Sequence, residues 1–173
     1  MQRSDSVTSL KIPVTVIIPT RNEEANLATC LQRLGFFDEV LVVDSCSTDA
    51  TCQIAADHGS AVIQFEWNGR YPKKRNWVLL NHRLRNDWVL FLDADELVTT
   101  DFCREVSVAI QESRYVAFWL RYTNHFLGLL YDDCIAEPHR LYNRCILLMV
   151  SINCVCIADA AQLYNRPSTI YGM

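Results

Sequence analysis

An α/β fold, with a mainly parallel sheet and helices on both faces, is predicted by two observations. Four short apolar-rich runs, Val14–Ile18, Val40–Val43, Ala61–Phe65 and Trp88–Leu92, carry the β-branched and aromatic residues that strands prefer. The segments between them carry helix start and stop signals, and strand alternating with helix is the mark of βαβ units. Runs that are near-continuously apolar, rather than strictly alternating, belong to strands covered on both faces. The chain has 173 residues, 50% hydrophobic and 21% charged, a globular composition that excludes disordered and fibrous classes. No linker or repeat divides it, so one α/β domain is expected, burying roughly 70% of the unfolded surface.

The elements follow in order. Thr20-Arg21-Asn22-Glu23 has capping-box spacing, and Leu27, Leu31 and Leu34 continue at helical spacing to Gly35. Asp49 is suited to cap a helix through Ala55 that stops at Gly59, and Pro72 to open another through Trp77, Leu80 and Leu84. Thr100 or Asp101 caps a fourth helix through Val106 and Ile110, before a strand-like Tyr115–Tyr122. From about Gly128 the texture changes. Four of the 8 cysteines lie beyond it, lysine is absent, and Cys145–Ala158 keeps no clear period. The chain therefore divides at 12–127 and 128–173, and the second part is expected to be incomplete, by truncation or a change of frame.

Charge is nearly balanced, 16 Lys and Arg against 20 Asp and Glu, so any phosphate recognition must be local. Only Lys11, Lys73 and Lys74 are lysines, and the last two adjoin Arg75 at a helix start, where dipole and charge both favour an anion. The cysteines form no C-x-x-C pair, and Met1–Val14 lacks the apolar core of a secretory signal, so a reduced, cytoplasmic setting is expected. Cys154 and Cys156 form the only close pair, a poor zinc signal. The uncharged run Cys145–Ala158 is too short to span a bilayer; it suits core, or peripheral membrane contact.

In open α/β sheets ligands bind beyond the carboxyl ends of the strands. Here those ends are Pro19-Thr20-Arg21-Asn22, Asp44-Ser45, Glu66-Trp67-Asn68 and Asp93-Ala94-Asp95-Glu96. Two carboxylates one residue apart at a strand exit suit a hard cation, Mg²⁺ or Mn²⁺, with positions left for diphosphate oxygens. They also suit a plain turn whose carboxylates cap the next helix. Asp44 can accept from a ribose hydroxyl or a base N–H, or cap the next helix, a task for which Ser47 and Asp49 compete. Arg21 can reach a diphosphate or pair with Glu23 or Glu24. No G-x-G-x-x-G, G-x-x-x-x-G-K-[ST] or G-x-S-x-G is present, which sets aside dinucleotide, P-loop and nucleophile-elbow chemistry.

At Val16-Ile17-Ile18-Pro19-Thr20-Arg21-Asn22-Glu23-Glu24, Val42-Val43-Asp44-Ser45-Cys46-Ser47-Thr48-Asp49 and Phe91-Leu92-Asp93-Ala94-Asp95-Glu96, the chain resembles the family 2 inverting glycosyltransferases. Their fold is the nucleotide-diphospho-sugar transferase, or GT-A, fold. Phe65-Glu66-Trp67-Asn68-Gly69 and Lys74-Arg75-Asn76-Trp77 look most like the bacterial subgroup acting on lipopolysaccharide core. The resemblance implies a nucleotide-diphospho-sugar donor, a UDP-sugar, and a saccharide or lipid-linked acceptor. It implies that Pro19, Thr20, Arg21 and Glu23 line the nucleotide pocket and that Asp44 contacts uracil or ribose. Arg75, Asp93 and Ala94 fall on the donor side, with Asp95 on the metal. The inverting general base comes from the acceptor half, where Asp132, Asp133 and Glu137 are the nearby carboxylates. The acceptor segment itself is not recognisable after Tyr122–Gly128. Two rivals stay open. One is a remnant that binds nucleotide without transferring sugar. The other is a haloacid-dehalogenase-like phosphatase, whose D-x-D motif would not usually be followed by Leu97.

Overall fold

The computed structural model describes residues 11–111 and the short strands 117–120, 124–126, 129–131, 140–143 and 170–172. Its first half alternates as expected: β1 (Ile12–Thr20), α1 (Leu27–Arg33), β2 (Phe37–Asp44), α2 (Thr51–Asp57), β3 (Ala61–Gln64), α3 (Lys74–Asn81), β4 (Trp88–Phe91) and α4 (Thr100–Ala109). There follow β5 (Ala117–Leu120), β6 (Asn124–Phe126), β7 (Leu129–Tyr131), β8 (Arg140–Asn143) and β9 (Ile170–Gly172). The main sheet has the order β3-β2-β1-β4-β8-β5-β9, while β6 and β7 form a separate ribbon. Strands β3, β2, β1 and β4 are parallel neighbours, so their carboxyl ends share one rim. Strand β8 runs antiparallel to both β4 and β5, and β9 antiparallel to β5. Residues beyond 128 thus contribute strands to the same sheet.

The two faces of the sheet bury different helices. Val14, Val16 and Ile18 of β1 pack with Leu27 and Leu31 of α1, Ala55 of α2, and Phe102 and Val106 of α4. Ile17, Leu41, Val43, Val89 and Phe91 pack on the opposite face with Val78 of α3. Because strand side chains alternate between faces, Val14, Val16 and Ile18 serve one core and Ile17 the other, while the buried hydroxyl of Thr15 is satisfied by donating to Glu39 at 2.6 Å.

Every helix start differs from the sequence expectation. Helix α2 begins at Thr51 behind Ala50 and not behind Asp49, whose carboxylate still accepts from the Thr51 N–H at 3.0 Å, and α3 begins at Lys74 rather than Pro72 and ends at Asn81, short of Leu84. No capping box forms at Thr20–Glu23, because Thr20 is the last residue of β1 and its hydroxyl donates to Asp44. Asn22 takes a left-handed conformation, φ 56°, and the chain turns through 23–26 before α1 begins at Leu27. The cap of α4 is Thr99, not Thr100 or Asp101. Thr99 has the extended backbone a cap requires, and its Oγ1 accepts from the Phe102 N–H at 3.1 Å. Thr99→Ala is expected to cost about 1 kcal/mol of stability in urea unfolding; a variant as stable as the wild type would count against the cap. Helix α2 ends as expected at Gly59, whose φ of 73° suits glycine. Its N–H reaches the Ala56 carbonyl and that of Ser60 the Ala55 carbonyl, a Schellman closure.

Candidate functional site

Strand register builds the first part of the site. Thr20, Asp44 and Gln64 end β1, β2 and β3 in one lateral row. Asp44 is fully buried. One carboxylate oxygen accepts from Thr20 Oγ1 at 2.9 Å and from Ser47 Oγ, and the other from the Ser47 N–H at 2.8 Å. Burial raises the Asp44 pKa, but hydrogen bonds from Ser47, Thr20 and Cys52 outweigh it and hold the carboxyl below its ordinary value. Ser47, expected to compete with Asp44 as a cap, is instead its main donor. Beside this row the loops after β1 and β2 are stitched together. Asn22 N–H donates to Ser47 Oγ, Thr48 N–H to Asn22 Oδ1, Glu23 N–H to Thr51 Oγ1, and Ala50 N–H to Glu24. Neither Glu23 nor Glu24 forms an ion pair with Arg21 among the described residues.

Above the row lies a cavity of about 540 Å³ lined by Arg21, Ser45, Cys46, Phe65, Glu66, Trp67, Lys73 and Lys74. It combines three cationic side chains with two aromatic ones, a lining suited to an anion that carries a flat ring. Trp67 is exposed and its indole N–H donates to the Arg70 carbonyl at 3.1 Å. Lys74, half-buried, donates to the Thr20 carbonyl at 2.7 Å. Burial pulls its pKa down and the nearby Arg21 adds to that, while Asp44 opposes both.

The second part of the site stands at the end of β4. Arg75, one residue into α3, pairs with Asp93 Oδ1 at 2.9 Å and places its guanidinium 5.4 Å from the centroid of the Phe91 ring. Glu96 accepts from the Asp93 N–H at 2.8 Å and returns its own N–H to the Asp93 carbonyl at 3.0 Å, which closes the Asp93–Glu96 turn. Burial pushes the Glu96 carboxyl up to about 7 despite that hydrogen bond. Asp95 is exposed and makes no hydrogen bond or ion pair among the described residues.

The structure therefore gathers Arg21 onto the cavity and joins Arg75 to Asp93. Pro19 and Glu23 are half-buried at the same rim, whereas Thr20 and Asp44 lie beneath its surface and Ala94 packs into the core. Asp132, Asp133 and Glu137 lie outside the described residues, as do Cys154, Cys156 and the run Cys145–Ala158. No group of three or more potential ligand side chains is present among the described residues. A cation held here would take few protein ligands. The unpartnered hard oxygens of Asp95 fit Mg²⁺ or Mn²⁺, the remaining positions falling to ligand and water oxygens. The sequence offered Lys74 only as one member of a basic triplet suited to an anion and Trp67 only as a strand-exit residue; their place in one cavity depends on contacts far apart in the chain. A second cavity, about 440 Å³ and lined by residues such as Lys11, Arg33, Phe36 and Thr99, includes none of the predicted site residues.

The profile of "Glycosyl transferase family 2" matches residues 15–168. The chain belongs to glycosyltransferase family 2. The match runs past Gly128, where the sequence alone shows no familial continuation. An uncharacterised glycosyltransferase of Rickettsia typhi is 32% identical over 139 residues, covering 78% of this chain and 45% of that protein. The chain thus spans about half the length of such curated relatives. Among solved structures, residues 1–349 of TarS from Staphylococcus aureus, a poly(ribitol-phosphate) β-N-acetylglucosaminyltransferase, superpose with a TM-score of 0.64 at 26% identity. That superposition covers 83% of this chain and 50% of that one. The mannosyltransferase PcManGT of Pyrobaculum calidifontis, solved with GDP-mannose and Mn²⁺, shares the fold at 21% identity. Its TM-score is 0.56, over 82% of this chain and 47% of that chain. The GT-A-like α/β fold and family membership set aside the phosphatase alternative. None of these relatives is named for lipopolysaccharide core.

No helix among the described residues is long and apolar enough to cross a membrane.

Proposed function

We propose that this chain supplies the donor half of a metal-assisted, inverting glycosyltransferase, which moves a sugar from a UDP-sugar to a hydroxyl of a cell-envelope saccharide. The observation that carries this reading is the two-pole arrangement of the rim. The cationic, aromatic cavity lies over the ends of β1–β3, and the Asp93–Asp95 turn with Arg75 lies at β4. One to three strand spacings separate the cavity's parts from β4, about 5–14 Å, a range an extended nucleoside diphosphate can bridge.

In this reading Pro19, Arg21 and Glu23 border the nucleoside. Thr20 and Asp44 hold its floor from below, with Asp44 acting on uracil or ribose through the Thr20 and Ser47 groups it orients. Arg75, Asp93 and Ala94 shape the sugar-diphosphate end, and Asp95 holds Mg²⁺ or Mn²⁺. When bound, that ion neutralises charge that builds on the departing diphosphate. Arg75 is placed to add to this by shifting from Asp93 to a phosphate oxygen. Inversion also needs a base for the acceptor hydroxyl, drawn from Asp132, Asp133 or Glu137. The division into a nucleotide-sugar part, 12–127, and an acceptor part, 128–173, belongs to the same reading. So do a lipopolysaccharide or related envelope acceptor and work at the inner face of the cytoplasmic membrane.

A thermal-unfolding series with UDP, GDP or no nucleotide, with and without Mn²⁺, tests the donor half. UDP with metal at about 100 times its Kd is expected to add roughly 2.7 kcal/mol of stability. A cooperative melt that no nucleotide moves, with or without metal, would overturn the reading.

A further inference from the structure

We propose that Lys74 selects the donor's nucleobase by donating to a keto oxygen on the base edge, so that the cavity takes a keto base such as uracil over an amino base such as cytosine. The inference rests on the nucleoside-diphosphate reading above and adds the residue that reads the base.

Lys74 lines the cavity and is tethered there, one N–H committed to the Thr20 carbonyl at 2.7 Å. An ammonium has three donors and no acceptor. The other two protons meet no acceptor among the described residues, and the side chain is half-buried, so an oxygen brought into the cavity replaces water that the group only partly has. The tether matters for selectivity. Arg21 and Lys73 also line the cavity, but both are exposed and neither is held by a hydrogen bond among the described residues, so each can follow a phosphate. Lys74 is the fixed cation of the three, and a fixed donor discriminates where a mobile one accommodates.

Its position assigns it to the base end of the donor. The cavity it lines is walled from the ends of β1, β2 and β3 and by none of Asp93–Glu96, and Phe65 and Trp67 supply ring surfaces that no phosphate needs; Lys74 itself stands at the β1 edge, beside β4. Uracil presents a keto oxygen where cytosine presents an amino group, as guanine does relative to adenine. Against an amino edge, Lys74 faces another donor. Both groups are then left unpaired, the condition under which hydrogen-bonding sites reject analogues most strongly.

The test is equilibrium binding of UDP, CDP, GDP and ADP to the whole chain with Mn²⁺, followed by calorimetry. Wild-type protein is expected to prefer UDP over CDP by about tenfold or more, the size of one charge-assisted hydrogen bond. Lys74→Met is expected to bring UDP down to the CDP level and leave CDP unchanged. Lys74→Gln keeps a donor for the Thr20 carbonyl and adds an acceptor oxygen, so it narrows the same ratio if the methionine variant does not fold. The GDP and ADP arms tell a uracil pocket from one that takes any keto base. Equal wild-type affinity for UDP and CDP would overturn the proposal. So would Lys74 variants that weaken UDP, CDP and pyrophosphate by one common factor, which would make Lys74 a phosphate contact. Binding of no nucleotide at all by wild-type protein would instead bring down the donor reading itself.

Discussion

Asp95→Ala is expected to abolish metal-dependent nucleotide binding while leaving the fold intact. Asp95 is exposed, without hydrogen bond or ion pair among the described residues, and no cluster of three ligand side chains stands there to replace it. Removing one of very few protein oxygens should therefore exceed the roughly 10–100-fold loss of metal affinity typical of residues that only support a ligand. The same exposure means that stability should stay within about 0.5 kcal/mol of wild type. The measurement is Mn²⁺-dependent UDP affinity alongside a urea melt. Unchanged affinity would remove Asp95 from the metal site, and a large loss of stability would show that the side chain supports the fold. Asp93→Asn is a less clean probe, because Asp93 also pairs with Arg75 at 2.9 Å and both effects would be lost together.

Asp44→Ala should produce the largest loss of stability of any single change at the site. Its carboxylate has no exposed surface and accepts from Thr20 Oγ1, the Ser47 N–H and Ser47 Oγ. Truncation strands these donors in a buried row, at a cost on the order of 3 kcal/mol or more, a large share of the ~5–15 kcal/mol that holds a domain together. Asp44→Asn keeps one acceptor oxygen and should lose less.

The pH dependence follows from the direction of the shift. The folded carboxyl is held below its ordinary value, so the folded state binds the proton less readily than the unfolded state does. Its contribution is present above the unfolded pKa, about 3.9, and is lost as pH falls through the lower folded value. Urea unfolding between pH 7 and pH 3 should show a steeper acid loss in wild type than in Asp44→Asn. Asp49, also held low, chiefly by the Thr51 hydroxyl, contributes with the same sign to both proteins and cancels in the comparison. Identical pH profiles would mean that Asp44 is not the group that titrates.

The local grammar of the chain determined the alternation of the first four strands and helices, the stop at Gly59, and the polar residues at each strand exit. These rest on periodicity and on neighbours a few positions apart, which a single sequence displays directly. Only the tertiary structure decided what those exit residues touch. Thr20 has capping-box spacing within its own segment, but Asp44, paired with it across β1 and β2, captures its hydroxyl instead. Lys74 reaches the Thr20 carbonyl 54 positions away, and Arg75 beside it crosses to Asp93. Those contacts turn an undifferentiated basic triplet into one tethered donor and one carboxylate partner. The insertion of β8 between β4 and β5 was likewise invisible, because four residues, Arg140–Asn143, carry too little pattern to name their partners. Strand partners are chosen by long-range pairing, and no local window of sequence contains that choice.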